Sequence, residues 1–241
     1  MFGRRAKDYD KPLRKQRSWV LSVGFLVAAI LMAAVAWLTS GGDEQPPTDS
    51  GPLRAESTAA GGRPDGCRTD DSDNAIPKSA PPDVQWRVVE ATRVPTSPSA
   101  GPKLLNGPLN YCFAHTPMGA VLAAHVIPAQ LIGDGWRTVI NQQLVPGLGR
   151  DIFESQRATV RDARAAAANV PTYLGFRIVS YTPDEAVVSL LIKNSMAAFS
   201  STMVSMRWSD GDWKVQPGTV GDLHSDLDSV RNTDIFVKWS E

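Results

Sequence analysis

Cysteine is scarce in this chain: two residues in 241, Cys67 and Cys112, with no CxxC pair. That excludes a disulfide-dense mini-protein, a thioredoxin-like redox motif and a cysteine-based zinc cluster. Histidine is nearly as rare, with three residues, and no two stand at the four-residue spacing that puts a pair of ligands on one helix face, as in HExxH. No glycine-rich phosphate loop follows a strand-like run, and no G-x-S-x-G elbow exists. A sustained heptad is missing too, so the chain is not a coiled coil. Aromatic residues amount to only 7 %. Net charge is absent as well, 25 basic groups facing 25 acidic ones.

That zero is an average of unlike parts. Residues 1–17 hold seven basic groups against Asp8 and Asp10, which leaves 18 basic and 23 acidic groups for the rest. A domain that reads nucleic-acid phosphate needs the opposite balance, so no direct nucleic-acid partner is expected.

What is present is one long apolar run. Ser18 to Leu38 carries no charge over 21 residues, enough for a helix to cross a hydrocarbon core of about 30 Å. Trp19 and Trp37 stand near its ends, where amphipathic rings favour the headgroup level. A cleaved signal peptide is the competing reading, since Ala34-Val35-Ala36 has the small-x-small form. The run is longer than the ~7–15 apolar residues of such peptides, and the expectation is an uncleaved anchor. Seven Lys/Arg precede it and none follows until Arg54. By the positive-inside rule the tail 1–17 is cytoplasmic and everything after 39 is extracytoplasmic: a single-pass protein of the cell membrane.

Glycine and proline are concentrated next. Residues 39–82 contain Gly41-Gly42, Pro46-Pro47, Gly61-Gly62, Pro64 and Pro81-Pro82, with few large apolar groups. Such a stretch cannot bury enough area to offset its ordering entropy, so it reads as a disordered linker. Both cysteines fall on the outer side. Either they form a disulfide tying the end of the linker to the domain, or they are two unrelated thiols. The even count in an oxidising compartment favours the bond. Closing a loop of this size is worth roughly 4 kcal/mol on the chain-entropy account.

Residues 83–220 carry the periodicity of a folded domain. Asp83–Val94 alternates through Val84, Trp86 and Val88 and reads as an entry strand or extended arm. Thr116-Pro117 is a helix start, a hydroxyl cap followed by proline at the first helical position. Val121, Leu122, His125, Val126, Ala129 and Ile132 then keep the helical spacing, with Pro128 expected to kink or split the helix. Trp136, Val139, Ile140, Gln143 and Leu144 suggest a second helix, and about 151–168 a third, with a thin apolar stripe of Phe153, Val160, Ala163 and Ala167. After Pro171 the period becomes two. Tyr173–Tyr181, Glu185–Lys193, Phe199–Ser209 and Asp212–Gln216 read as four strands joined by short links, the last through Asp210-Gly211. Links that short force an antiparallel meander. One face reads Phe176, Ile178, Ala186, Val188, Leu190, Ile192, Val204, Met206, Trp208, Trp213 and Val215. The fold class is α+β, three helices packed on a curved antiparallel four-stranded sheet. The tail 221–241, with its apolar IFVKW, is either an extra strand or a docking segment.

A basic tail, one membrane helix, a linker, then helices followed by a meander resembles the bitopic assembly proteins of conjugative type IV secretion systems, of which VirB8 and TcpC are the types. That resemblance implies an NTF2-like outer domain. The stretch CFAHTPMGAVLAAHVIPAQL, the Gly101-Pro102 pair and the terminal IFVKW are also similar to uncharacterised proteins of actinobacterial integrative and conjugative elements. It brings no catalytic residues to carry over.

Candidate chemistry is thin. The expected core face holds no Asp or Glu, and Asp184, Asp210 and Asp212 are read as turn residues. His115 is read as lining the helix start, His125 as a satisfied half-buried side chain, and His224 as part of a polar tail. No catalytic, cofactor-binding or metal-ligating residue is assigned. Arg157, Arg161 and Arg164 share one side of the third helix and form either a solvated face or a surface for an acidic partner or lipid headgroups. The expected function is a membrane-anchored scaffold, not an enzyme. Its outer domain would contact protein partners of a transfer or secretion complex, and could form homo-oligomers. The alternative is a small-ligand-binding or enzymatic domain using the interior of the fold.

Overall fold

The computed structural model describes residues 51–53, 62–160, 172–193 and 198–239. The apolar run 18–38, the tail 1–17, and Arg161 and Arg164 lie outside them. Among the described residues no helix is long and apolar enough to cross a membrane. All of them belong to one compact unit, Asp49–Glu241.

That unit is α+β. Two small hairpins come first: β1 (Gln85–Val89) with β2 (Thr92–Thr96), and β3 (Leu104–Asn106) with β4 (Leu109–Tyr111). The entry strand expected over 83–94 is therefore folded back on itself. Glu90 takes φ 52° at its turn and Gly107 takes φ 57° at the next.

Helix α1 (Pro117–Gln130) begins where the Thr116 hydroxyl accepts the Gly119 N–H at 3.1 Å. Apart from Met118, every one of its residues is buried. A helix apolar on all sides has to be central, and α1 touches both the β1–β2 hairpin and the main sheet. Pro128 does not split it but falls in its last turn, and the helix continues to Gln130. Helix α2 (Trp136–Gln143) follows. Two buried glutamines and the half-buried Asn110 bind β4, α1 and α2 together: the Gln130 Oε1 accepts from the Asn110 N–H, the Gln130 amide donates to Gln143 Oε1 at 2.9 Å, and the Gln143 amide donates to the Asn110 carbonyl at 2.8 Å.

Helix α3 (Leu148–Thr159) starts three residues earlier than its acidic first turn suggested, after Gly147 at φ 145°. It ends with Val160 in extended conformation. None of its residues is buried, and Val160, expected in the buried stripe, is 60 % exposed. Ala163 and Ala167 lie outside the described residues.

The main sheet has six strands rather than four: β5 (Thr172–Tyr181), β6 (Glu185–Lys193), β7 (Phe199–Ser209), β8 (Asp212–Val215), and two short strands from the tail, β9 (Asp228–Ser229) and β10 (Val237–Lys238). The order is β10-β5-β6-β7-β8 with β9 on β7, all pairs antiparallel. Asp210 (φ 53°) and Gly211 (φ 75°) make the β7–β8 turn, and β5 is irregular at two points, each of which bends the strand. The apolar face anticipated from alternation is the face that packs on α1: Phe176, Val188, Leu190, Val204, Trp213 and Val215 are fully buried. Tail residues close one edge. Phe236 and Trp239 are buried, and the Trp239 N–H donates to the Leu174 carbonyl at 3.0 Å. Outside β10 lies Lys78–Pro82, across a groove from Phe236–Trp239. The opposite edge is taken by the chain after α2, the Val145 N–H donating to the Val215 carbonyl.

Part of the stretch read as linker is seated on the domain. Residues 62–82 run along its surface, and the backbone of Leu53 accepts from Lys214 Nζ and donates to Gln142 Oε1 at 3.0 Å.

Candidate functional site

Alternation along β8 turns Asp212 and Lys214 away from the Trp213 and Val215 side, yet both are buried. The covering comes from chain far off in sequence. Cys112 adopts φ 72°, a conformation in which successive N–H groups converge on one anion. The Asp212 carboxylate accepts from the N–H of Cys112 at 2.6 Å, of Phe113 at 2.9 Å and of its own neighbour Trp213 at 2.9 Å. Burial pushes the Asp212 carboxyl up to about 6, against the pull of these donors and of Arg63. The reading of Asp212 as an exposed turn residue is thus corrected. It is a structural anchor whose oxygens are already occupied.

Cys112 also carries the disulfide to Cys67 (Cα–Cα 5.4 Å). Beside it Arg63 donates to the Phe113 carbonyl at 2.7 Å, pairs with Asp71, and lies 4.8 Å over the Trp208 ring. Burial opposes the charge on Asp71, but Arg63, the His115 N–H and Thr69 hold its carboxyl below the ordinary value. The His115 ring stacks on Trp208 at 3.8 Å and its Nε2–H donates to the Pro183 carbonyl. His115 therefore joins the helix entry to the β5–β6 turn.

His125 is fully buried, not half-buried. Its Nδ1–H donates to the Val121 carbonyl at 2.8 Å, which leaves Nε2 to accept from Trp239 Nε1 at 3.3 Å. Tyr173 and Trp239 meet its ring edge-on, and Phe176 packs on Trp239 in turn. Burial lowers the imidazole to about 4, only partly opposed by Val121, and raises Tyr173 to about 12. Because the folded value lies below the ordinary 6.5, the unfolded chain binds more protons here. Stability is then lost as pH falls from about 6.5 toward 4. His125→Gln is expected to flatten that part of the acid-unfolding curve, measured by denaturant titration between pH 7 and 4; an unchanged slope would place the acid sensitivity elsewhere.

Among the three arginines singled out by spacing, only Arg157 is described, and it turns inward. It donates to the carbonyls of Leu131, Ile132 and Val160 at 3.0–3.3 Å and lies over the Trp136 ring, closing the carbonyl ends of α1 and α3. Beside it a groove of about 500 Å³ runs between the end of α1, α3 and the loop Gly221–His224, walled by Leu131, Ile132, Phe153 and Leu223. His224 borders this groove, and burial lowers its pKa. A second groove, of about 530 Å³, lies between Ala75–Pro82 and the start of α1. Among the described residues no group of three or more His, Cys, Asp or Glu is placed to hold a metal ion. Asp212 and His125 border neither groove, so neither can reach a substrate seated there.

Residues 46–238 match the family described as Domain of unknown function (DUF8175), and the chain belongs to that family. No curated protein and no solved structure matches it.

Proposed function

We propose that this member of the family is a single-pass membrane scaffold whose extracytoplasmic domain, NTF2-like in architecture, acts through protein–protein contacts in a conjugative transfer or type IV-like secretion apparatus. The observation that carries this reading is the row of large apolar side chains buried between α1 and the sheet. Phe113, Phe176, Met206 and Trp213 occupy the space between α1 and the sheet, each at most 2 % exposed. Large apolar side chains at these described positions favour a domain that works through its surface over one that holds a ligand inside. The uncharged run 18–38 with its one-sided basic flank supports the anchor and its orientation. The disulfide fits an oxidising compartment.

The alternative, a small-ligand domain, would have to use the groove beside α3 rather than the interior. Crosslinking of the chain in its native membrane, followed by mass spectrometry, separates the two. Recovery of membrane or ATPase components of a transfer machine is expected. Recovery of the chain alone would overturn the scaffold reading in favour of the groove.

A further inference from the structure

Strand β10 ends the main sheet on its side and pairs with β5 alone. Val237 lies opposite Phe176, Lys238 opposite Gly175, and the Trp239 N–H donates to the Leu174 carbonyl at 3.0 Å. In an antiparallel ladder, residues that face the partner strand alternate with residues that face away. Val237 and Trp239 therefore turn their N–H and C=O groups to β5, and Lys238 turns its own outward. Among the described residues nothing pairs with that outward N–H and C=O. They open on the groove of about 610 Å³ between Phe236–Trp239 and Lys78–Pro82. The facing wall does not close it by pairing, because Pro81 and Pro82 have no N–H.

A free main-chain donor and acceptor at a sheet edge, beside an open groove, are what an added strand binds. The side chains around the groove select the strand. Lys78 and Lys238 both line it and are exposed. Gly175, the partner of Lys238, stands two residues from Arg177 along β5, so Arg177 and Lys238 share one face of the sheet. The Arg177 guanidinium lies 5.8 Å from the Phe236 ring. Against these cations stands Asp234, whose charge Lys238 feels. Asp83, which follows Pro82, is turned to Ser97 and Ser99, from which its carboxylate accepts. We infer that this edge takes an extended acidic segment of a partner protein, which joins the main sheet as a further strand beside β10. A second copy of this chain is the wrong occupant, because its own β10 would bring Lys238 against Lys238. The inference rests on the reading of the domain as one that works through protein contacts, and it gives that contact a place and a sign of charge.

The test uses the full chain in detergent micelles and short dye-labelled peptides, with binding followed by fluorescence anisotropy. One peptide alternates valine with glutamate, a second alternates valine with lysine, and a third is the glutamate peptide with its backbone nitrogens methylated. The glutamate peptide is expected to bind about tenfold more tightly than the lysine peptide, the yield of two or three exposed ion pairs. Methylation should abolish binding, and Lys238→Glu should invert the charge preference. The same change at Lys103, which is exposed and outside the groove, should leave that preference as it is. Hydrogen exchange at the Lys238 amide should slow when the glutamate peptide is present. Equal binding of the two charged peptides, binding that survives methylation or Lys238→Glu, or no binding at about 1 mM would overturn the inference and leave the scaffold reading standing. A crosslink from position 238 of one copy to position 238 of another would overturn it in favour of a self-paired edge. Recovery of the chain alone from its native membrane would overturn the scaffold reading itself, and the inference with it.

Discussion

Asp212→Ala is expected to cost the unit Asp49–Glu241 about 4 kcal/mol of folding stability, a large share of the roughly 5–15 kcal/mol that holds an ordinary domain together. The substitution removes an acceptor from three buried N–H groups, those of Cys112, Phe113 and Trp213. Each such donor left without a partner costs about 1–3 kcal/mol. Asp212→Asn should be milder but still destabilising, since its amide nitrogen would face one of those N–H groups. Urea unfolding of the three proteins measures both effects. A loss under 1 kcal/mol for the alanine variant would mean that water or a backbone shift replaces the carboxylate. The pH dependence has a definite sign. The folded carboxyl lies near 6, above the ordinary 3.8, so the folded state binds more protons in that window. Its contribution is fullest below about 4 and declines as pH rises to about 6. His125 works the other way across much of the same range. The advantage of wild type over Asp212→Asn should therefore be larger at pH 4.5 than at pH 7.5.

The second large effect is expected at the disulfide. Replacing Cys67 and Cys112 together by serine frees a loop whose ends are 45 positions apart, worth about 4 kcal/mol on the chain-entropy account. The loss should be local as well as global. Residues 62–82 are then held by Arg63 and Asp71, by the packing of Pro64 and Ala80 and by turn contacts, with no ladder of their own, so hydrogen exchange there should rise ahead of the sheet. Comparing oxidised and reduced wild type reports the same quantity without mutation. If 62–82 stays protected after reduction, the ion pair and the stacking on Trp208 hold the arm by themselves.

Much of this fold was legible before any coordinates. The meander could be read because its strands alternate cleanly and Asp210-Gly211 is a turn pair whose positive φ values few other residues accept. The Thr116-Pro117 start of α1 was legible for a similarly local reason. Hairpins β1–β2 and β3–β4 were not. Their strands run three to five residues, and their turns use Glu90-Ala91 and Gly107-Pro108, neither of which is a common hairpin pair. Strand β10 is two residues long and leaves almost no pattern to read. Asp212 was misread because its own surroundings, Asp-Gly-Asp, do describe a turn. What buries it is the backbone of residues 99 and 100 positions away. The same holds for His125, whose partner Trp239 is 114 positions distant. Local sequence encodes which element a residue joins, but not the distant backbone that satisfies it.

The two outer edges of the sheet bear on how crowded these molecules can be. A bare strand edge is a template for the next chain, and copies held at high local density meet often. Here one edge is taken by the chain that follows α2. The other ends in a strand of two residues bearing Lys238, with Pro81 and Pro82 across a groove from it. Proline offers no N–H, and a lysine resists pairing with its own copy. Dense arrays of this domain should therefore stay free of runaway strand-to-strand aggregation.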